Sequence, residues 1–134
     1  METDAPQSSD SSVPYTLVFE YRPEYLYAFV TGEKDSYEIS KRYWQEIADE
    51  CKKAGFKKVL IEEDIAENVS MSDMYQFCAE IPQLGFFGIR VAFVDRKQDQ
   101  QQLNQFGETV ATNRGLLSRV FNNFEAGEKW LLSE

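Results

Sequence analysis

Tyr15, Leu17, Phe19 and Tyr21 alternate with Thr16, Val18 and Glu20. That period of two marks a strand with one face more exposed than the other. Arg22-Pro23-Glu24 follows as a short turn, because proline cannot donate to a ladder. Residues 25–30 are apolar at every position, as in a strand covered on both faces. Two strands joined so tightly must pair antiparallel. The period then changes. Ile39, Tyr43, Ile47, Cys51 and Ala54 recur at helical spacing, with Gly55 placed to end the helix. Asp35 with Glu38 three residues on resembles a capping box at its start.

From there strands and helices alternate. Val59-Leu60-Ile61 reads as a short central strand, with Glu62, Glu63, Asp64 and Glu67 in the loop after it. Met71, Met74, Phe77, Cys78 and Ile81 form a second helical stripe, with Ser70 as a good N-cap and Pro82 and Gly85 closing it. Residues 89–94 read as a strand. Leu103, Phe106 and Val110 mark a third helix ended by Gly115, and residues 116–121 a last strand. Asn123 caps a final helix carrying Phe124, Trp130 and Leu131. The order β-β-α-β-α-β-α-β-α predicts an α/β domain. Its sheet is mixed and mostly parallel, with five strands, an initial β-hairpin and four helices, one strand (the first) running against the others.

A chain of 134 residues fits one domain, expected over residues 15–134. Residues 1–14 hold Ser8, Ser9, Ser11, Ser12, Pro6, Pro14 and three acids, and are expected to form a disordered tail. Fourteen Lys and Arg against 23 Asp and Glu leave a net charge of −9, which disfavours nucleic acid. No histidine is present, so Ser-His-Asp and Cys-His nucleophile pairs and His-ligated zinc are ruled out. The first residues have neither the basic nor the apolar region of a secretory leader, and no run approaches a membrane span. No Lys/Arg-rich amphipathic face suited to anionic lipid stands out. The lysines at 52, 53, 57 and 58 are read as complementing the negative end of the first helix. Cys51 and Cys78 fit reduced, buried core positions, and the expected location is the cytoplasm without membrane insertion.

Several local sequences together resemble a known group. They are Phe106-Gly-Glu-Thr-Val-Ala-Thr-Asn-Arg-Gly115, then Leu-Leu-Ser-Arg-Val-Phe121, then residues 126–131 ending in Trp130-Leu131, with Val59-Leu-Ile-Glu-Glu63 as third strand. The chain is similar to the STAS-like, SpoIIAA-like family of anti-sigma-factor antagonists, and within it to the compact bacterial STAS/SEC14-like branch. The resemblance implies a STAS/SpoIIAA-like fold and a non-enzymatic regulatory or protein-interaction module, with a protein partner and no cofactor. In the antagonists a serine at the start of the helix after the third strand is phosphorylated by a partner kinase, and the added charge alters docking. The family's Asp-Ser-Ser-Gly-like motif is replaced here by Ser70-Met-Ser72-Asp73, with neither the preceding Asp nor the following Gly. Ser70 and Ser72 are therefore the candidates for phosphorylation, and Ser70 alone also suffices as an N-cap.

The alternative function is carriage or sensing of a small apolar or amphipathic ligand. A helix N-terminus attracts anions, so Ser70, Ser72, Asp73 and Asp64 are candidates for ligand or anion binding. The density of tyrosine suggests a partly open pocket lined by Tyr and Met, since each buried hydroxyl needs a partner. Phe86-Phe87, set between glycines, is a candidate contact patch. Arg114 beside Gly115 either satisfies the last carbonyls of the third helix or holds an anion. A minority reading makes an enzyme of Glu62, Glu63 and Asp95. No motif supports a catalytic, metal or nucleotide site.

Overall fold

The computed structural model describes residues 14–133. The expected tail thus lies outside the described residues, apart from Pro14. Strand β1 (Tyr15–Tyr21) turns through Arg22, whose N–H donates to Tyr25 O at 3.0 Å, into β2 (Leu26–Lys34). Helix α1 (Tyr37–Ala54) leads to β3 (Lys58–Glu67), and α2 (Met71–Glu80) runs into a single 3-10 turn (Ile81–Leu84). Then come β4 (Arg90–Asp95), α3 (Gln101–Asn113), β5 (Leu117–Phe121) and α4 (Phe124–Leu132). The sheet order is β1-β2-β3-β4-β5. Only the β1–β2 pair is antiparallel; the other three pairs are parallel. The expected α/β class, hairpin and odd strand are all present. Among the described residues no helix is long and apolar enough to cross a membrane.

Alternation along each strand divides the side chains between two layers. Leu26, Ala28, Val30, Val59, Ile61, Ile65 and Val91 join the large core, with Tyr43, Ile47 and Cys51 of α1, Phe77 and Cys78 of α2, and Val110 and Ala111 of α3. Leu60, Ala92 and Val94 face the other way, where Leu131 of α4 packs on them with Phe124 and Trp130. Helices α1, α2 and α3 thus cover one face and α4 the other. Each fully buried Leu or Ile in these layers contributes on the order of 1.5–3 kcal/mol. Helices α2 and α3 approach closely at Gly107, where a Cβ would lie 2.7 Å from Met74 Sδ and 2.9 Å from Cys78 Sγ.

Two boundaries differ from the expectation. The cap of α1 is Ser36, whose hydroxyl accepts from Ile39 N–H at 3.1 Å, so Asp35 is free to turn inward. More consequentially, β3 continues six residues beyond Ile61. Glu62 and Glu63 are therefore buried ladder residues rather than solvated loop acids. Pairing on both sides satisfies their backbone, which overrides the low strand propensity of glutamate.

Candidate functional site

Glu63 on β3 stands in register with Asp95, the last residue of β4, and with Val30 of β2. Asp35 follows β2 at the same end of the sheet, its N–H donating to Glu67 O at 2.8 Å. All three carboxyls are buried: Asp35 is 5% exposed, Glu63 3% and Asp95 3%. Asp35 and Asp95 lie beyond or at the ends of β2 and β4, with Glu63 inside β3 between them, toward the end of the sheet where open α/β folds commonly bind ligands.

Local donors hold each acid. Asp35 Oδ1 accepts from Ser36 N–H at 2.8 Å and from the Ser40 hydroxyl at 2.8 Å. Asp95 accepts from Lys97 N–H at 2.9 Å and from Asn104 Nδ2 at 2.7 Å. The Tyr43 hydroxyl is shared between Glu63 Oε2 at 2.6 Å and Asp35 Oδ2 at 3.2 Å. Among the described residues no ion pair reaches Asp35, Glu63 or Asp95. Arg96 and Lys97 turn to the α4 face, where Arg96 pairs with Glu62 at 2.7 Å and Lys97 with Asp64 at 3.5 Å. Burial, then the charges of Asp35 and Asp95, pushes Glu63 well above the ordinary carboxylate range. Burial also raises Asp35 and Asp95, but their hydrogen bonds from Ser40 and Ser36, and from Asn104 and Lys97, pull back down. Of the three, Glu63 is the one pushed furthest above the ordinary range, and the Tyr43 hydroxyl is its hydrogen-bond donor.

A cavity of about 60 Å³ adjoins these acids between the sheet and the three helices. Asp35, Glu63 and Asn104 form its polar end, while Val69, Met74, Phe77 and Ala111 are among its apolar walls. Trp44 closes it from α1, packed edge-on against Phe77 and Phe86 and stacked on Phe93 at 6.0 Å between centroids. The cavity is much smaller than a typical small-ligand site, but shares its composition of apolar walls with a few convergent polar groups. Cys78 also lines it, and burial pushes its thiol up to about 12, so it is inert as a nucleophile.

The sequence candidates fall in different places. Ser70 caps α2, its hydroxyl accepting from Asp73 N–H at 3.1 Å. Ser70 and Ser72 are exposed, and neither they nor Asp73 line the cavity, although their neighbours Val69 and Met74 do. Asp64 points to the α4 face with Glu62 and pairs with Arg96 and Lys97. Glu62, Glu63 and Asp95 do not converge: Glu62 accepts from Tyr27 and Arg96 on the face opposite the other two. Among the described residues no group of three His, Cys, Asp or Glu side chains is arranged to hold a metal ion.

The surplus of tyrosine has another cause than a Tyr/Met pocket. Six hydroxyls donate to glutamates: Tyr15 to Glu46, Tyr21 to Glu50, Tyr25 to Glu128, Tyr27 to Glu62, Tyr37 to Glu80 and Tyr43 to Glu63. Most of these pairs join a strand or its turn to a helix, while Tyr27–Glu62 joins two strands and Tyr37–Glu80 two helices; of the six only Tyr43 lines the cavity. Phe86 is buried and Phe87 alone is exposed. The Arg114 side chain donates to the Tyr75 hydroxyl at 3.2 Å rather than to the last carbonyls of α3. Asp35, Tyr43 and Asn104 escaped the sequence reading as site residues. The one available signal was an acid at the end of each of two neighbouring strands.

No family model matches the chain, and no curated protein matches its sequence. Among solved structures it is similar to an uncharacterized protein from the DUF3478 family with a SpoIIAA-like fold, from Shewanella loihica PV-4. The two share 14% identity with a TM-score of 0.52, over 92% of this chain and 98% of that one. The fold is therefore SpoIIAA-like, or STAS-like.

Proposed function

We propose that this protein is a non-enzymatic, cytoplasmic STAS-like module that senses or carries a small amphipathic ligand. The carrying observation is the cavity under Trp44, apolar on its walls and polar at the Asp35–Glu63–Asn104 end. Such a site orients a ligand with an apolar body and a hydrogen-bonding head. The acids are locked to neighbouring donors and remote from exposed nucleophiles, which favours recognition over turnover. Native mass spectrometry of freshly purified protein, with thermal unfolding across short-chain amphiphiles, tests the reading. A bound small molecule, or a midpoint shift abolished by Ser118→Phe at the cavity wall, is expected. Clean protein with no shift for any compound would refute it.

A second reading, docking of a partner protein at the start of α2, is favoured by Met71 at 63% and Tyr75 at 49% exposure beside Ser70 and Ser72. Here Ser70→Asp and Ser72→Asp should weaken capture of that partner while the unfolding midpoint moves little. Unaltered capture by both variants would remove the serine switch.

A further inference from the structure

Where β3, β4 and β5 begin, the sheet carries a segregated charge, beside the closed end of the β1–β2 hairpin, which holds Glu20, Arg22 and Glu24. Three stretches, residues 51–61, 81–94 and 109–121, lead into β3, β4 and β5. Together they hold Lys52, Lys53, Lys57 and Lys58, then Arg90, then Arg114 and Arg119. That is half of the fourteen basic residues, and none of the 23 acids falls there. Parallel pairing brings the three entries to one end: Lys58 is in register with Arg90, and Arg90 with Leu117. Arg90 N–H donates to Lys57 O at 2.9 Å, and the Lys52 ammonium lies against Gly85. Among the described residues none of the four lysines makes an ion pair. The two acids nearest them on α1 are engaged elsewhere, Glu50 accepting from the Tyr21 hydroxyl and Asp49 from Gln45.

An apolar anchor sits in the same place. The turn from Gly85 (φ 113°) to Gly88 (φ 76°), closed by Ile89 N–H on Phe86 O at 2.9 Å, points neighbouring rings in opposite directions. Phe86 enters the core at 1% exposure, and Phe87 is left at 95%. Leu117, one strand over, is 57% exposed.

We propose that this end of the sheet docks on an anionic lipid bilayer, with the lysines at the headgroup phosphates and Phe87 at the boundary of the acyl region. Lysines attract anionic headgroups cumulatively, and an aromatic ring adds an apolar contact that salt does not screen. No single helix displays this surface, which is why no amphipathic face is visible in the sequence. Neither the four lysines nor Phe87 lines the ligand cavity, so the surface stands or falls apart from it.

Vesicle co-sedimentation of the full chain is the test. Binding is expected to phosphatidylcholine vesicles containing about one third phosphatidylglycerol, absent with phosphatidylcholine alone and lost at high salt. Each exposed lysine removed should cost about fivefold, so Lys52→Gln, Lys53→Gln and Lys57→Gln combined should weaken binding about a hundredfold. Phe87→Ser should weaken it while the unfolding midpoint stays put, since the ring packs on nothing. Failure to sediment with anionic vesicles at low salt would overturn the proposal, as would undiminished binding by the triple variant. Retention on heparin that ignores Phe87→Ser, without vesicle binding, would assign this end to soluble polyanions instead and equally overturn it.

Discussion

Glu63 and Asp95 stand side by side in register on adjacent parallel strands, both buried, and among the described residues neither has an ion-pair partner. Two like-charged carboxyls so placed cannot both ionise cheaply, and Asp35 adds a third. Burial and the like charges around it therefore raise Glu63 well above the ordinary carboxylate range.

That arrangement fixes the sign of the pH dependence. Glu63, Asp35 and Asp95 all have raised pKa values in the folded chain. Above the unfolded carboxylate range, about pH 4, the native state therefore binds more protons than the unfolded state. Stability from these groups is complete below that range and is lost as pH rises through the raised values. Urea unfolding from pH 5 to 8 should show a falling free energy, at most about 1.4 kcal/mol per pH unit for each proton involved. Glu63→Gln, which is neutral at every pH, should flatten the slope. Stability that climbs over this interval in the parent protein would contradict the upward shifts.

Tyr43 is the donor common to Glu63 and Asp35. Tyr43→Phe leaves the packing of the ring and removes the hydroxyl, so buried acceptors lose a partner. A loss of about 1–3 kcal/mol is expected. It should be larger at pH 8 than at pH 5, because an ionised acceptor suffers more from the missing donor. Equal losses at both pH values would mean that the hydroxyl serves neutral carboxyls only.

Much of this architecture is local in origin, and the local part is readable in the residues. The hairpin shows in the alternation of Tyr15, Leu17 and Phe19, and the cap at Ser70 needs only residues three apart. The acid network is a different matter. Glu63 looks like a solvated residue because nothing beside it in the chain reveals that β2 and β4 will bury it. Asn104 lies in a glutamine-rich run without pattern, and its role exists only once α3 has brought it 2.7 Å from Asp95. Tyr43 keeps helical spacing and so reads as ordinary core, although its hydroxyl is what distinguishes it. Periodicity reports which face a residue takes; it carries no information on which polar partner waits there.

Arg90 fastens the last helix. Its guanidinium donates to Ser133 O at 2.7 Å and to Ser133 Oγ at 3.1 Å, and lies 4.2 Å over the Trp130 ring. A cation at a helix C-terminus also offsets the partial negative charge there. Arg90→Ala should fray the final turn of α4, costing about 1 kcal/mol. Amide exchange should quicken at Lys129, Trp130 and Leu131 while α1 stays protected. Uniform acceleration across the domain would show that α4 does not open separately.

Glu108 guards the exposed edge of the sheet. Strand β5 pairs only with β4, and from α3 the Glu108 carboxylate reaches over to accept from Val120 N–H at 2.7 Å. An unpaired edge N–H is a template for another strand. Glu108→Ala removes the acceptor and should cost about 1.5 kcal/mol, near the lower limit for a hydrogen bond to a charged group, since the site is half-buried. It should also make the chain self-associate at high concentration, read by light scattering. Glu108→Gln keeps an amide oxygen that can accept from Val120, so it should restore the monodisperse state while recovering only part of the stability. If both variants associate to the same degree, charge rather than the covered N–H is what keeps β5 from pairing with a second chain.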